Sequence, residues 1–151
     1  PWSPLGSGYL TGTITINTPF DDKLDLRAHR ARFTVEAQKH NWKLIGLLQQ
    51  IGQRTYATPG QVALAWLLAK YPSLVPIPGT SNPKHIDENI NALKVTLSAE
   101  DMDELEKGFA TIKVEGPRTT EALFLNHDIG ANLGESSKGT HGKSPLPSKG
   151  N

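Results

Sequence analysis

The sequence predicts an α/β chain that is mostly helical, and three observations lead there. Four helical stretches can be read between about residues 35 and 110, from apolar stripes and from start and stop residues. A single apolar run, Leu74-Val75-Pro76-Ile77-Pro78, is bounded by turn residues and reads as one buried strand. The order loop, helices, strand, loop and helix suits an α/β unit, and because one strand cannot make a sheet, partner strands are expected elsewhere.

Each element has a local reason. Residues 1–12 are rich in Gly, Ser and Pro and read as a loop, and residues 13–31 as a long surface loop without a period. The first helix is expected from about Val35 to Arg54, with Leu44, Leu47, Leu48 and Ile51 as its apolar stripe. In the second, Thr58 is the N-cap, Pro59 takes the first helical position and Pro72 ends the run. Its residues from Val62 to Ala69 are apolar on nearly every face, which suits burial in a larger assembly. Asn82 and Pro83 open the third helix, with Ile86, Ile90 and Leu93 as its buried stripe. Ser98 and Asp101 form a capping box for the fourth, Leu97 and Met102 a hydrophobic staple, and Met102, Leu105 and Phe109 its buried face. Residues 1–133 form the expected domain. Residues 134–151 lack the apolar side chains that would offset chain entropy and read as a flexible tail.

Composition removes several function classes. Sixteen Lys and Arg against fifteen Asp and Glu leave a net charge of +1, which gives no reason to expect a nucleic-acid or anionic-membrane partner. The absence of cysteine excludes disulfides and thiolate metal sites. No apolar run approaches the roughly 18 residues of a membrane span. His29, His40, His127 and His141 are scattered without ligand spacing and read as surface or loop histidines, so no metal is expected. Ser3, Ser7 and Ser81 lack the His and Asp neighbours of a serine hydrolase. Asp21-Asp22 reads as a loop turn and Glu100-Asp101 as a helix first turn, and Trp42 and Trp66 as core helix residues. A cytoplasmic location is the default. The only methionine is Met102, so Pro1 is expected to be a processed terminus or an interior point of a longer chain.

Two stretches carry chemistry. Trp2-Ser3-Pro4-Leu5-Gly6-Ser7-Gly8-Tyr9-Leu10-Thr11-Gly12 resembles the aromatic-SPLG loop that follows barrel strand seven in the aldo-keto reductase family. Val75-Pro76-Ile77-Pro78-Gly79-Thr80, with Glu88-Asn89 beyond it, is similar to that family's strand-eight motif and the pair in the next helix. Arg32-Phe33 resembles a recurring family pair, and the resemblance covers residues 1 to about 110. It implies the C-terminal portion of an eight-stranded α/β barrel, a fold of roughly 250 residues when complete. It further implies an NADP-dependent oxidoreductase that moves hydride between a nicotinamide and a small carbonyl or alcohol substrate.

The same resemblance implies a cofactor site. Trp2 would stack on the nicotinamide ring. Ser3, Pro4, Leu5, Gly6 and Ser7 would pass under the pyrophosphate, Gly6 allowing close backbone approach. Pro78, Gly79, Thr80, Ser81 and Asn82 precede a helix N-terminus, which favours anions, and would hold the adenosine 2′-phosphate together with His85. Glu88 and Asn89 would face the adenine. Many members place a basic residue at the position of Asn82 and an arginine at that of His85. Histidine is mostly neutral at pH 7, so NAD stands beside NADP as a possible cofactor, with Lys84 the remaining cation. The family's catalytic tyrosine and its helpers come from early strands that no segment here resembles, so no catalytic residue is assigned and those residues are expected upstream of Pro1. The alternative is a non-catalytic nucleotide-binding relative acting as a regulatory subunit. Val114 to Asn132, with Arg118, Phe124 and His127, is the stretch expected to touch substrate.

Overall fold

The computed structural model describes residues 1–118. The boundary expected at residue 133, the tail at 134–151, and Phe124, His127 and His141 lie outside them. Four α-helices form: α1 Val35–Thr55, α2 Pro59–Lys70, α3 Pro83–Asn91 and α4 Ala99–Thr111. Their N-termini follow local chemistry. The Thr34 hydroxyl accepts from the Ala37 amide at the start of α1. Thr58 and Gln61 close a capping box on α2, and Ser98 and Asp101 close one on α4. Each such cap satisfies orphan amides and contributes about 1 kcal/mol.

The core lies between α1, α2 and α4. Ile45, Leu48, Ile51, Val62 and Leu105 are all but sealed from solvent, and each such side chain stabilises the fold by about 1.5–3 kcal/mol. The α1 stripe runs through Ala37, Asn41, Ile45, Leu48 and Ile51, so Leu44 and Leu47 flank it, half-buried, rather than centring it. Trp66 packs edge-on to Phe109 (centroids 4.8 Å apart) while its Nε1 donates to Glu106. Only the first half of α2 is buried, through Ala65; Trp66, Leu67 and Leu68 are half-buried.

A second cluster anchors the N-terminal loop. Tyr9, in a 3-10 turn at Tyr9–Thr11, packs with Ile14, Phe33 and Ile45, and its hydroxyl donates to the Gln38 carbonyl (2.9 Å). Phe33 belongs to a second 3-10 turn, Ala31–Phe33, which follows a third at Leu26–His29. The long loop is therefore folded against α1.

Two expectations are corrected. The run from Leu74 to Pro78 is not a strand. Among the described residues there is one isolated parallel bridge, Trp2 to Ile77, in which the Ile77 amide donates to the Pro1 carbonyl (3.2 Å). The reason is local: Pro76 and Pro78 lack amide hydrogens, leaving Ile77 as the only donor of its triplet. The stripe on α3 is not buried either. Ile86 is 47 % and Ile90 56 % exposed, as is Leu93 at 72 % in the 3-10 turn Ala92–Lys94 that follows, because α3 packs on α2 through its other side and nothing among the described residues covers the rest.

After α4 the chain returns along α1. His40 Nε2 donates to the Lys113 carbonyl (2.8 Å), and Nδ1 lies 3.1 Å from the Glu115 carboxylate. The Asn41 side chain exchanges two hydrogen bonds with the Glu115 backbone, and Arg32 Nε donates to the Gly116 carbonyl (2.9 Å). His40, expected to be a surface histidine, is instead half-buried and tethers this return segment. His29 is exposed, as expected.

Candidate functional site

The parallel bridge sets the two motif stretches side by side. Trp2 stands at the mouth of a recess of about 140 Å³ that Ser3, Pro4, Gly6 and Ser7 also line. The loop beneath is wound tightly. Ser3, Gly6, Ser7 and Gly8 all have positive φ, and the amides of Gly6 and Gly8 donate to the carbonyls of Ser3 and Leu5 (3.0 and 3.1 Å). Those two amides are thereby used inside the loop. Two serines in a left-handed conformation are strained, a state that persists only where surrounding structure holds it. Leu5 turns from the recess and packs against the helical core.

Ser7 also borders a second recess, which it shares with Gly79, Arg27 and Arg30. The opening loop and the bend ahead of α3 therefore meet across one face. Around that bend a small polar network forms. The Asn82 carboxamide caps α3 by accepting from the Lys84 amide (3.1 Å). His85 Nδ1 is 3.3 Å from the Thr80 hydroxyl, and Nε2 is 3.4 Å from Asn82 Nδ2. A neutral ring protonated at Nδ1 satisfies both partners. Thr80, Ser81, Asn82 and His85 are exposed and Pro78 is half-buried. Glu88 departs from this group: its carboxylate accepts from the Thr58 hydroxyl (2.6 Å) at the start of α2. Asn89, half-buried, follows it on α3.

Sequence reasoning singles out Arg32, in a family pair, and Arg118, in the stretch expected to touch substrate, but misses Arg27 and Arg30. Arg27 and Arg32 lie in the 3-10 turns Leu26–His29 and Ala31–Phe33, and Arg30 caps both between them. Arg27 forks onto Asp25 (closest approach 2.6 Å). Hydrogen bonds from Arg27 hold the Asp25 carboxyl down at about 2. Arg30 Nη1 donates to the Ser7 hydroxyl (2.6 Å). Arg118 arrives on the return segment, donates to the Trp2 carbonyl (2.6 Å), and lies over the indole, 4.9 Å from its centroid. Three arginines within six positions were the available signal, although only the fold shows that they converge on Ser7 and Trp2.

The family model described as the aldo/keto reductase family matches residues 1–108. The chain belongs to the aldo/keto reductase family. It is 37 % identical over 117 residues to aldo-keto reductase yakc [NADP(+)] of Schizosaccharomyces pombe, covering 78 % of this chain and 34 % of that protein. It is 38 % identical over 124 residues to a Glycine max protein named "Probable aldo-keto reductase 1" (82 % of this chain, 35 % of that one). Aldo-keto reductase str7 of Strobilurus tenacellus is 34 % identical over 117 residues, with 78 % and 34 % covered. The chain thus spans about a third of the length of these relatives. Among the described residues of this family member, no helix is long and apolar enough to cross a membrane, and no group of three His, Asp or Glu could hold a metal ion.

Proposed function

We propose that these residues are the C-terminal part of a (β/α)8-barrel aldo-keto reductase, and that they carry much of its nicotinamide-dinucleotide site. The observation that supports this reading best is the Trp2–Ile77 bridge, which places the opening loop beside the bend ahead of α3. One extended ligand can then reach both stretches. Trp2, 40 % exposed, offers a flat face to a heteroaromatic ring. Ser3, Pro4, Leu5, Gly6 and Ser7 cradle the phosphates, and a side chain added at Gly79 would meet no atom within 4 Å, so that bend is open to a ligand. Thr80, Ser81, Asn82 and His85 surround the free end of α3, whose amides favour an anion. Pro78 fixes the backbone entering the bend, Asn89 borders the adenine, and Glu88 would join it by giving up its Thr58 hydrogen bond.

When bound, the dinucleotide supplies the hydride that a small carbonyl substrate accepts. The residues of this chain bind and orient it. The proton donor and its helpers lie outside these 151 residues, so the segment alone is inactive. NADP is the first candidate, because a relative's name carries it; NAD is the second, because Asn82 and His85 present no fixed positive charge. A cytoplasmic location and a small-molecule substrate belong to the same reading, with no nucleic-acid, membrane or metal partner assigned.

The test uses the complete polypeptide that carries this segment. NADPH should quench its tryptophan fluorescence, and Trp2→Ala should weaken NADPH binding at least about fivefold, since stacking on an aromatic side chain contributes about 1–3 kcal/mol. Unchanged affinity in the Trp2 variant rejects the platform role. Carbonyl reduction by residues 1–151 alone rejects the division of labour.

A further inference from the structure

Three guanidinium groups line the recess beside Trp2, and among the described residues no carboxylate does. Each has a neutral partner. Arg30 donates to the Ser7 hydroxyl, Arg32 to the Gly116 carbonyl, and Arg118 to the Trp2 carbonyl. Arg27, their neighbour, differs, because its charge is spent on Asp25. Like charges around a small concave space repel one another. Arg32 registers this: burial first, then the adjacent Arg118, hold its guanidinium below the ordinary arginine value. The tethers described above keep the arrangement from relaxing. His40, Asn41 and Arg32 pin residues 113–116, and a side chain at Gly116 would meet the Arg32 amide at 2.7 Å. The segment that delivers Arg118 is thereby fixed across the recess.

We propose that this recess is an oxyanion site in which Arg30, Arg32 and Arg118 grip a carboxylate or phosphate group lying beside Trp2. The planar fork of arginine matches either group through paired hydrogen bonds. The inference deepens the dinucleotide reading and rests on it for what lies against Trp2. The anion has two possible sources, the pyrophosphate of the cofactor or an acidic group on the carbonyl substrate.

Calorimetry on the complete polypeptide separates them, with inorganic pyrophosphate and succinate as probes. If the cofactor is the source, pyrophosphate binds the cofactor-free protein and NADPH displaces it. If the substrate is the source, succinate binds the NADPH-loaded protein. In either case Arg30→Gln and Arg118→Gln should each weaken the bound anion at least tenfold. Arg118 is exposed, so its variant tests the site without disturbing the core. Arg32→Lys, which retains charge and loses the fork, should weaken it less than Arg32→Gln. Binding of neither probe tighter than about 1 mM, or binding that the glutamine variants leave unchanged, overturns the site. NADPH quenching that persists while both anions are refused rejects this inference alone. Anion binding without NADPH binding rejects the dinucleotide reading and leaves the site standing.

Discussion

Ile45, Ile51, Val62 and Leu105 are fully withdrawn from water, whereas Ile77, Ile86, Ile90 and Leu93 remain 47–72 % exposed. Both groups are aliphatic, and both sit in segments with regular apolar spacing. They differ in what the chain can fold against them. α1, α2 and α4 pack on one another and on the Tyr9 turn, so their apolar faces close within the chain. The Ile77 segment and α3 have one bridge and one packed side between them. Amphipathicity announces which face is apolar and is silent on whether the cover belongs to the same chain. In the proposed barrel, the exposed group would pack against elements outside these residues.

The comparison breaks most directly at Leu105. Truncating it to Ala should cost about 2–5 kcal/mol, read as a lower urea midpoint of residues 1–151. A loss under about 1 kcal/mol would show that the helical core is looser than its burial implies. Acid separates the two regions next. Burial alone would raise the Asp101 carboxyl, but hydrogen bonds from Arg54 and Ser98 outweigh it and hold the group below its ordinary value. Asp25, beside the recesses, is held down at about 2. A depressed carboxyl contributes stability above its unfolded value, near 3.8, and that contribution fades as pH falls through the folded value. The urea midpoint should therefore drop between about pH 4 and pH 2, and Asp101→Asn should flatten that slope. A slope unchanged by the substitution excludes Asp101 as a source. The smallest effect belongs to Ile86→Ser, within about 0.5 kcal/mol of zero in residues 1–151. The same change in the complete polypeptide should cost clearly more. Equal effects in both would leave the α3 face without a cover.

These contrasts follow what is legible in a sequence. Thr58, Asn82 and Ser98 announce helix starts because capping is settled within four residues. The two stretches that resemble family motifs are legible as words in their order, and their meeting depends on one bridge that no local pattern encodes. The α1 stripe is legible at Leu48 and Ile51, while its first half runs through Asn41 and Ile45 rather than Leu44, because Asn41 is polar yet buried by its bonds to Glu115. A five-residue apolar run read as a strand lost its pairing to two prolines. Arg32 and Arg118 are legible only as single residues of the family pair and the expected substrate stretch, and Arg30 not at all: residues 26–33 have no apolar period, and only the fold brings Arg30 to Ser7 and Arg118 to Trp2.

The alternation of proline and aliphatic residues from Val75 to Pro78 has a further consequence. In an extended segment, residues two apart address the same neighbour. Ile77 turns its amide hydrogen to the flank that meets Trp2, while Pro76 and Pro78 have no amide hydrogen to offer the opposite flank. Two copies brought together along that flank would set acceptor against acceptor, so self-templated growth is discouraged there, and only a donor-rich neighbour can complete the seam.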